Sequence, residues 1–165
     1  FKAGFERLKC LSNKGEDLER KMQKSAERFY PTLAVTAFGL NWIWEMAQMF
    51  AFEIKPEESR LQVFLFCTLA TVIDAAVTIG IYGLLHRINL SNPFLFYLSA
   101  ALFGAVCATV FEWFAFRFEL WKYNSAMLVV PIIGVGLLPF VQLTLLVPLA
   151  IRLTQKFKGF RFQNT

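Results

Sequence analysis

A chain of 165 residues is long enough for one domain. Hydrophobic residues make up 56% of it and its mean hydropathy is +0.48, which argues against an ordinary soluble domain and leaves only a bundle of fully buried helices as a soluble alternative. The net charge of +5 comes with a single histidine and with three cysteines that lack CxxC spacing, so the sequence predicts no metal site, no cofactor and no disulfide framework.

The N-terminal segment, residues 1–28, is basic and amphipathic. Four apolar side chains recur in it at helical spacing, namely Phe1, Phe5, Leu8 and Leu11. Cationic side chains lie on the other side of such a helix. This pattern predicts a cytoplasmic amphipathic helix that lies on the inner leaflet of a membrane.

Four apolar blocks follow, each about as long as the roughly 20 residues that a helix needs to cross a bilayer. The blocks are Pro31–Phe52, Leu61–Leu85, Pro93–Phe116 and Met127–Leu153. We therefore predict an all-α fold whose transmembrane domain covers residues 29–154, with a basic cytoplasmic tail at 155–165. The short connections after the first and second blocks favour an up-down arrangement of the four helices.

The positive charges predict the orientation. Of the 17 lysines and arginines, all but four lie in the N-terminal segment, in the connection between the second and third blocks, or at the C-terminal end from Arg152 onward. Four spans place those three regions on the same side, and the positive-inside rule makes that side the cytoplasm. Attraction to anionic lipid accounts for the basic charge without any binding of nucleic acid.

The fourth block is rich in proline and glycine near the sequence GVGLLP. Pro131, Gly134, Gly136 and Pro139 fall within a short stretch of it. Such a segment is expected to be kinked or broken, and irregular backbone at membrane depth is tolerated only against protein or a wet cavity.

Polar side chains in the first two blocks share helix faces. Asn41, Glu45 and Gln48 are spaced i, i+4 and i+7 in the first block, and Thr71, Asp74 and Thr78 follow a similar helical spacing in the second. Stacked polar residues favour faces that meet inside the bundle.

The other two blocks add Glu112 and Gln142 to this polar set. An ionisable side chain in hydrocarbon costs at least about 2.5 kcal/mol, so buried acids without nearby cations are typical of proton-exchanging sites.

We predict that Glu45, Asp74 and Glu112 are catalytic. Predicted substrate-binding residues are Asn41, Trp42, Gln48, Thr71, Thr78, Trp113 and Gln142, with the two tryptophans stabilising a developing cation. The alternative is that the polar groups bond one another and fix helix register.

Three motifs give the chain a family resemblance. The sequence NWIWEMAQ in the first block, TVIDAA in the second and the stretch from Trp121 to Gln142 resemble a group of small bacterial integral membrane proteins of uncharacterised function. The matching positions are Asn41, Trp44, Glu45, Gln48, Cys67, Asp74, Trp121, Tyr123, Met127, Gly134, Gly136, Pro139 and Gln142. The chain departs from the family pattern at Phe66, Ile73 and Leu128, where the family has histidine, glycine and proline. The resemblance implies a bacterial inner-membrane protein.

Integral-membrane terpene cyclases offer a looser similarity, since they too place a Trp-Glu pair in a span, as at Trp44 and Glu45. Together these patterns lead to a hypothesis of a small membrane enzyme that acts on an isoprenoid or sterol-like substrate. The alternatives are a non-catalytic accessory subunit of a larger membrane complex and a proton or cation pathway. Expected partners are membrane lipids, a lipophilic small molecule, and other membrane subunits or a second copy of the chain.

Overall fold

The computed structural model describes residues 28–53 and 59–157. The predicted amphipathic helix lies outside the described residues, as do residues 54–58 of the short connection after the first block. The last described helix continues to Phe157, so it includes the first residues of the predicted tail, whose remainder also lies outside.

Most of the described residues are helical. Helix α1 occupies residues 28–48 and ends in a 3-10 turn at Met49–Ala51. It is followed by α2 (Arg60–Ile88), α3 (Pro93–Arg117) and α4 (Leu137–Phe157). The only strand-like pairings within the described ranges are two isolated bridges, Phe52 with Tyr123 and Val129 with Gly136. By length and composition, α2, α3 and α4 could each cross a membrane, which is consistent with an integral membrane protein.

Polar residues define the ends of α2 and the start of α3. Ser59 and Gln62 form a reciprocal capping box at the first turn of α2. At its other end, Asn89 adopts a left-handed conformation that stops the helix. The side chain of Asn92 then caps α3, and Pro93 occupies its first turn. Because these caps lie next to one another in sequence, the connection between α2 and α3 is only a few residues long.

The fourth helix begins at Leu137 and not at Met127, where the apolar block starts. Between those positions the chain turns at Pro131–Ile133, and Gly134 has a φ of +69°. The backbone pairs with itself instead, because Val130 N–H donates to Val135 O and Leu137 N–H donates to Leu128 O. The expected break near GVGLLP is therefore a non-helical segment, and it shortens the fourth span.

Helix α3 packs closely against α4 through small residues. Its buried face has a residue at every fourth position: Phe96, Ala100, Gly104, Ala108 and Glu112. A Cβ atom on Gly104 would lie 2.4 Å from the carbonyl oxygen of Leu143, so the two backbones approach as closely as glycine allows. This contact holds the face that ends in Glu112 against α4.

Replacing Gly104 with alanine should therefore push α3 away from α4. The expected loss is about 1–3 kcal/mol of stability, which is typical of overpacking, because the obstructing atom belongs to the backbone and cannot rotate aside. Thermal unfolding of the purified protein in detergent checks this. Gly39→Ala is the matched control, since nothing lies within 4 Å of its added Cβ. Equal unfolding temperatures for Gly104→Ala and the unmodified protein would contradict the close approach.

Candidate functional site

Helix α1 changes from apolar to polar along one face. Leu33 and Ala37 are fully buried, and Asn41 follows them at the same spacing with no exposed surface. Glu45 is half-buried one turn further on, and Gln48 is buried again. The 3.6-residue period therefore places the apolar core and the polar side chains on the same inward face, at successive depths.

Gln142 of α4 joins this face to α2. Its Nε2 atom donates to Asn41 Oδ1 at 3.1 Å and to Glu45 Oε1 at 3.0 Å. The same nitrogen donates to Asp74 Oδ2, on α2, at 2.8 Å. Because the carboxylate oxygens of Glu45 and Asp74 both lie within hydrogen-bond distance of the same nitrogen, the two carboxylates are close to each other. We call these five residues, Asn41, Glu45, Gln48, Asp74 and Gln142, the amide–carboxylate cluster.

Gln48 closes the cluster on the other side. Its Nε2 atom donates to Glu45 Oε1 at 3.0 Å and to Gln142 Oε1 at 2.9 Å. Its own oxygen accepts from the indole of Trp44 at 3.0 Å. Glu45 thus receives hydrogen bonds from two amides on two different helices.

The cluster is short of hydrogens when both acids are ionised. The amide nitrogen of Gln142 carries two hydrogens but lies within bonding distance of three acceptors. The amide nitrogen of Gln48 likewise has its two hydrogens directed to two acceptors. A further proton on the cluster would relieve this shortage, so the arrangement suits groups that take up and release a proton.

The three predicted acids interact electrostatically with one another. Asp74 interacts with both Glu45 and Glu112, and Glu112 also interacts with Glu45. Their hydrogen-bond partners are amides, an indole and a phenol, all of them uncharged donors. Three like charges in a mostly buried region are accommodated more easily when the group as a whole carries a proton.

Glu112 belongs to a second set of contacts, with the segment between α3 and α4. Its Oε2 atom accepts from Trp121 Nε1 at 3.3 Å and from the hydroxyl of Tyr123. That hydroxyl in turn accepts from Gly136 N–H at 2.7 Å. Gly136 has no room for a side chain, because an added Cβ would lie 2.7 Å from the Tyr123 oxygen. We call Glu112, Trp121, Tyr123 and Gly136 the loop cluster.

The loop cluster is fixed to the end of α1. Phe52 forms a β-bridge with Tyr123, and Asn124 donates through Nδ2 to the carbonyl of Phe50 at 2.7 Å. Asn124 N–H also donates to Ala51 O at 3.1 Å. The connection between α3 and α4 therefore covers the end of the bundle where Glu112 lies.

Tyr123 remains a proton donor over a wide pH range. Its burial, followed by its hydrogen bond to Glu112 and the charge of that residue, raises the pKa of the Tyr123 hydroxyl above its ordinary value. The hydroxyl therefore keeps its proton where an exposed tyrosine would begin to lose it.

Not every predicted residue reaches these clusters. Thr71 and Thr78 are buried, but their hydroxyls donate to Cys67 O and Asp74 O of their own helix. Trp42 packs edge-on against Phe64 of α2 at 6.2 Å. Trp113 is 54% exposed and donates to Ile133 O at 2.9 Å, so it lies on the outer surface. Of the two tryptophans expected to stabilise a cation, neither shares a hydrogen bond with the acids.

Three aromatic residues with polar tips were missing from the predicted site. Trp44 bonds to Gln48, while Trp121 and Tyr123 bond to Glu112. The signal that could have found them was their place in the family motifs, since none of them follows the periodic polar faces. Tyr123 and Trp121 lie outside the helices, where helical spacing carries no information.

Comparisons with protein-family models, curated proteins and solved structures find no match to this chain. The resemblance drawn from its motifs therefore stays a prediction.

Replacing Tyr123 with phenylalanine should destabilise the protein by about 1–3 kcal/mol, because Gly136 N–H loses its acceptor and Glu112 loses a donor. The difference from the unmodified protein should also depend on pH. A raised pKa makes the hydroxyl's contribution fully present below about pH 10, the ordinary tyrosine value. Above that pH the unfolded chain ionises first, so the stability advantage of the unmodified protein should shrink.

Thermal unfolding of both proteins in detergent, from about pH 8 to about pH 11.5, measures this difference. An advantage that stays constant above pH 10 would mean that Tyr123 ionises as readily in the fold as in the unfolded chain, and would contradict its assignment.

Proposed function

We propose that the chain is a four-span membrane protein whose helices run alternately up and down. Phe29, at the start of α1, stacks on Tyr82 near the end of α2 at 4.5 Å. Tyr97, at the start of α3, donates to Gln155 near the end of α4 at 2.6 Å. Both contacts support antiparallel neighbours. The charge distribution supports cytoplasmic termini. The bacterial inner membrane is part of the proposal because the motifs resemble those of small bacterial membrane proteins.

Within that frame the chain acts as a small membrane enzyme on a lipophilic substrate, isoprenoid or sterol-like, by acid–base chemistry. The observation that carries this proposal is the convergence of Glu45 and Asp74 on one donor, Gln142 Nε2. Two carboxyl groups held this close, with only uncharged hydrogen-bond donors among the described residues, can exchange a proton with each other and with a bound molecule.

Glu45 is the group that meets the substrate. The other four members of the amide–carboxylate cluster are buried, whereas Glu45 retains partial exposure. A molecule that approaches the bundle therefore reaches Glu45 first. Asp74 lies behind it at the middle of α2, where it receives or returns the proton. Glu112, held by Trp121 and Tyr123, assists from the end of the bundle covered by the loop.

The amides and tryptophans have different parts in this proposal. Asn41, Gln48 and Gln142 hold the carboxylates in place, and Gln142 does so for both at once. Thr71 and Thr78 lie on the same buried face of α2 as Asp74. Trp42, beside Phe64, provides an aromatic face for a developing cation.

A second candidate is a non-catalytic accessory subunit of a larger membrane complex. It is favoured by one observation: among the described residues, every buried side-chain nitrogen and oxygen has a hydrogen-bond partner. A network in which each buried polar group has at least one partner is what a purely structural role requires, since such a network fixes helix register.

Solvent-hydrogen exchange separates the two candidates even while the substrate is unidentified. Protein reconstituted into bacterial lipid extract in D₂O should transfer deuterium to carbon positions of isoprenoid lipids, which mass spectrometry detects. Glu45→Gln and Asp74→Asn keep size and hydrogen bonding but remove the titratable carboxyl proton. Each should fold normally and lose about 10²-fold or more of the protein-dependent exchange, the usual contribution of an acid–base group.

Glu53→Gln is the matched control, because Glu53 is exposed and its backbone N–H, not its side chain, bonds to Lys122 O. It should keep full exchange. Exchange that persists in both Glu45→Gln and Asp74→Asn, or that never exceeds the protein-free level, would support the accessory-subunit candidate.

A further inference from the structure

A surface pocket lies near the end of α2, away from both acid clusters. It has a volume of about 420 Å³ and is lined by Tyr30, Gly80, Gly83, Leu84, His86 and Arg87. We call it the α2 pocket. His86 is twelve residues after Asp74 on the same helix, which corresponds to about 18 Å of helical rise. The amide–carboxylate cluster therefore does not extend into this pocket.

The polar part of the α2 pocket offers hydrogen-bond donors. Arg87 contributes a permanent positive charge and His86 an imidazole, while the six lining residues include no acid. The Tyr30 hydroxyl lies over the helix here, 3.9 Å from the position of a Cβ on Gly83. A guanidinium, an imidazole and a phenol around one space are suited to the oxygens of a phosphate group.

Aromatic stacking fixes the imidazole in this position. His86 stacks on Tyr82 with ring centroids 5.7 Å apart and planes inclined by 12°. Tyr82 stacks in turn on Phe29 of α1 at 4.5 Å. Because the ring is supported on one face by the protein core, its orientation is set before any ligand arrives.

The remaining part of the pocket is apolar and open to the side of the helix. Gly80 is exposed with nothing within 4 Å of an added Cβ, and Leu84 is 45% exposed beside it. Exposed apolar residues continue along α2 toward its middle, at Ala76 and Ile73. A ligand whose polar end lies at Arg87 would thus meet apolar helix surface for the rest of its length.

We propose that the α2 pocket binds an anionic phospholipid, with the lipid phosphate at His86, Arg87 and Tyr30 and an acyl chain along Gly80. The end of a candidate membrane-spanning helix lies at the depth where lipid headgroups lie. The glycines leave a depression where an acyl chain fits, and the cation complements the anionic headgroup. Arg87 in the last turn of α2 would also be favourable through the helix dipole alone. That role, however, would require neither the depression at the glycines nor the Tyr30 hydroxyl beside it.

Lipid titration of the full chain in detergent micelles tests the proposal, with native mass spectrometry and thermal unfolding as readouts. Phosphatidylglycerol should bind at least about 10-fold more tightly than phosphatidylcholine with the same acyl chains. Gly80→Leu fills the depression and leaves every charge in place, whereas Arg87→Gln removes the cation. Arg87→Gln should reduce the preference for phosphatidylglycerol by about 10-fold, whereas Gly80→Leu should weaken the binding of phosphatidylglycerol itself by about 10-fold. Leucine is also better suited to a helix than glycine, so Gly80→Leu should fold.

Arg152→Gln is the matched control. Arg152 is exposed and lies close in sequence to Gln155, which bonds to the start of α3 and so lies at the same end of the bundle as Arg87. It should keep the lipid preference. Three results would overturn the proposal: an unchanged affinity for phosphatidylglycerol in Gly80→Leu, a loss of preference in Arg152→Gln equal to that in Arg87→Gln, or the same thermal shift with inorganic phosphate in place of the lipid.

Discussion

The amide of Gln142 is the contact on which the polar interior depends. One nitrogen donates to side chains from α1 and α2, and the oxygen of the same amide accepts from Gln48. In a bundle that excludes water, a carboxylate left without donors is costly, so these bonds decide which rotation of α1 and α2 about their axes is stable. A rotation of any of the three helices would break several bonds at once and expose charge to hydrocarbon.

The apolar packing holds the helices in the positions that the hydrogen bonds of Gln142 require. Leu33 and Ala37 occupy the same face of α1 as Asn41, and Gly104 brings α3 against α4 at Leu143, beside Gln142 in sequence. Close packing at that level keeps the buried end of α3 within reach of the loop that carries Tyr123. The result is a bundle with an apolar region toward one end of α1 and a polar region toward the other. Within the amide–carboxylate cluster, Glu45 is the acid that is not fully enclosed.

Helical periodicity was sufficient to predict which residues of α1 and α2 share a face, because spacing within a helix is fixed by its geometry. The lengths of the apolar blocks placed α2 and α3 nearly to their ends, because Leu61–Leu85 and Pro93–Phe116 differ from the observed helices by only a few residues. Periodicity could not show that Gln142 would be the common donor, because a single polar residue has no period. The contact of Tyr123 with Glu112 could not be predicted for another reason. The position of Tyr123 depends on its pairing with distant segments, at Phe52 and Gly136. Trp113 was predicted to reach the same site as Glu112, yet the two are consecutive residues of α3, and neighbours in a helix point about 100° apart.

The central claim is that Glu45 is a carboxyl group that lipophilic molecules reach from outside the bundle. Reaction of the membrane-embedded protein with dicyclohexylcarbodiimide, an apolar reagent for protonated carboxyl groups, tests it most directly when peptide mass spectrometry locates the product. A water-soluble carbodiimide serves as the reference, since it should modify exposed acids such as Glu53 and Glu119. The account predicts that the apolar reagent modifies Glu45 in preference to those two residues. An unmodified Glu45, under conditions in which the exposed acids react, would contradict it.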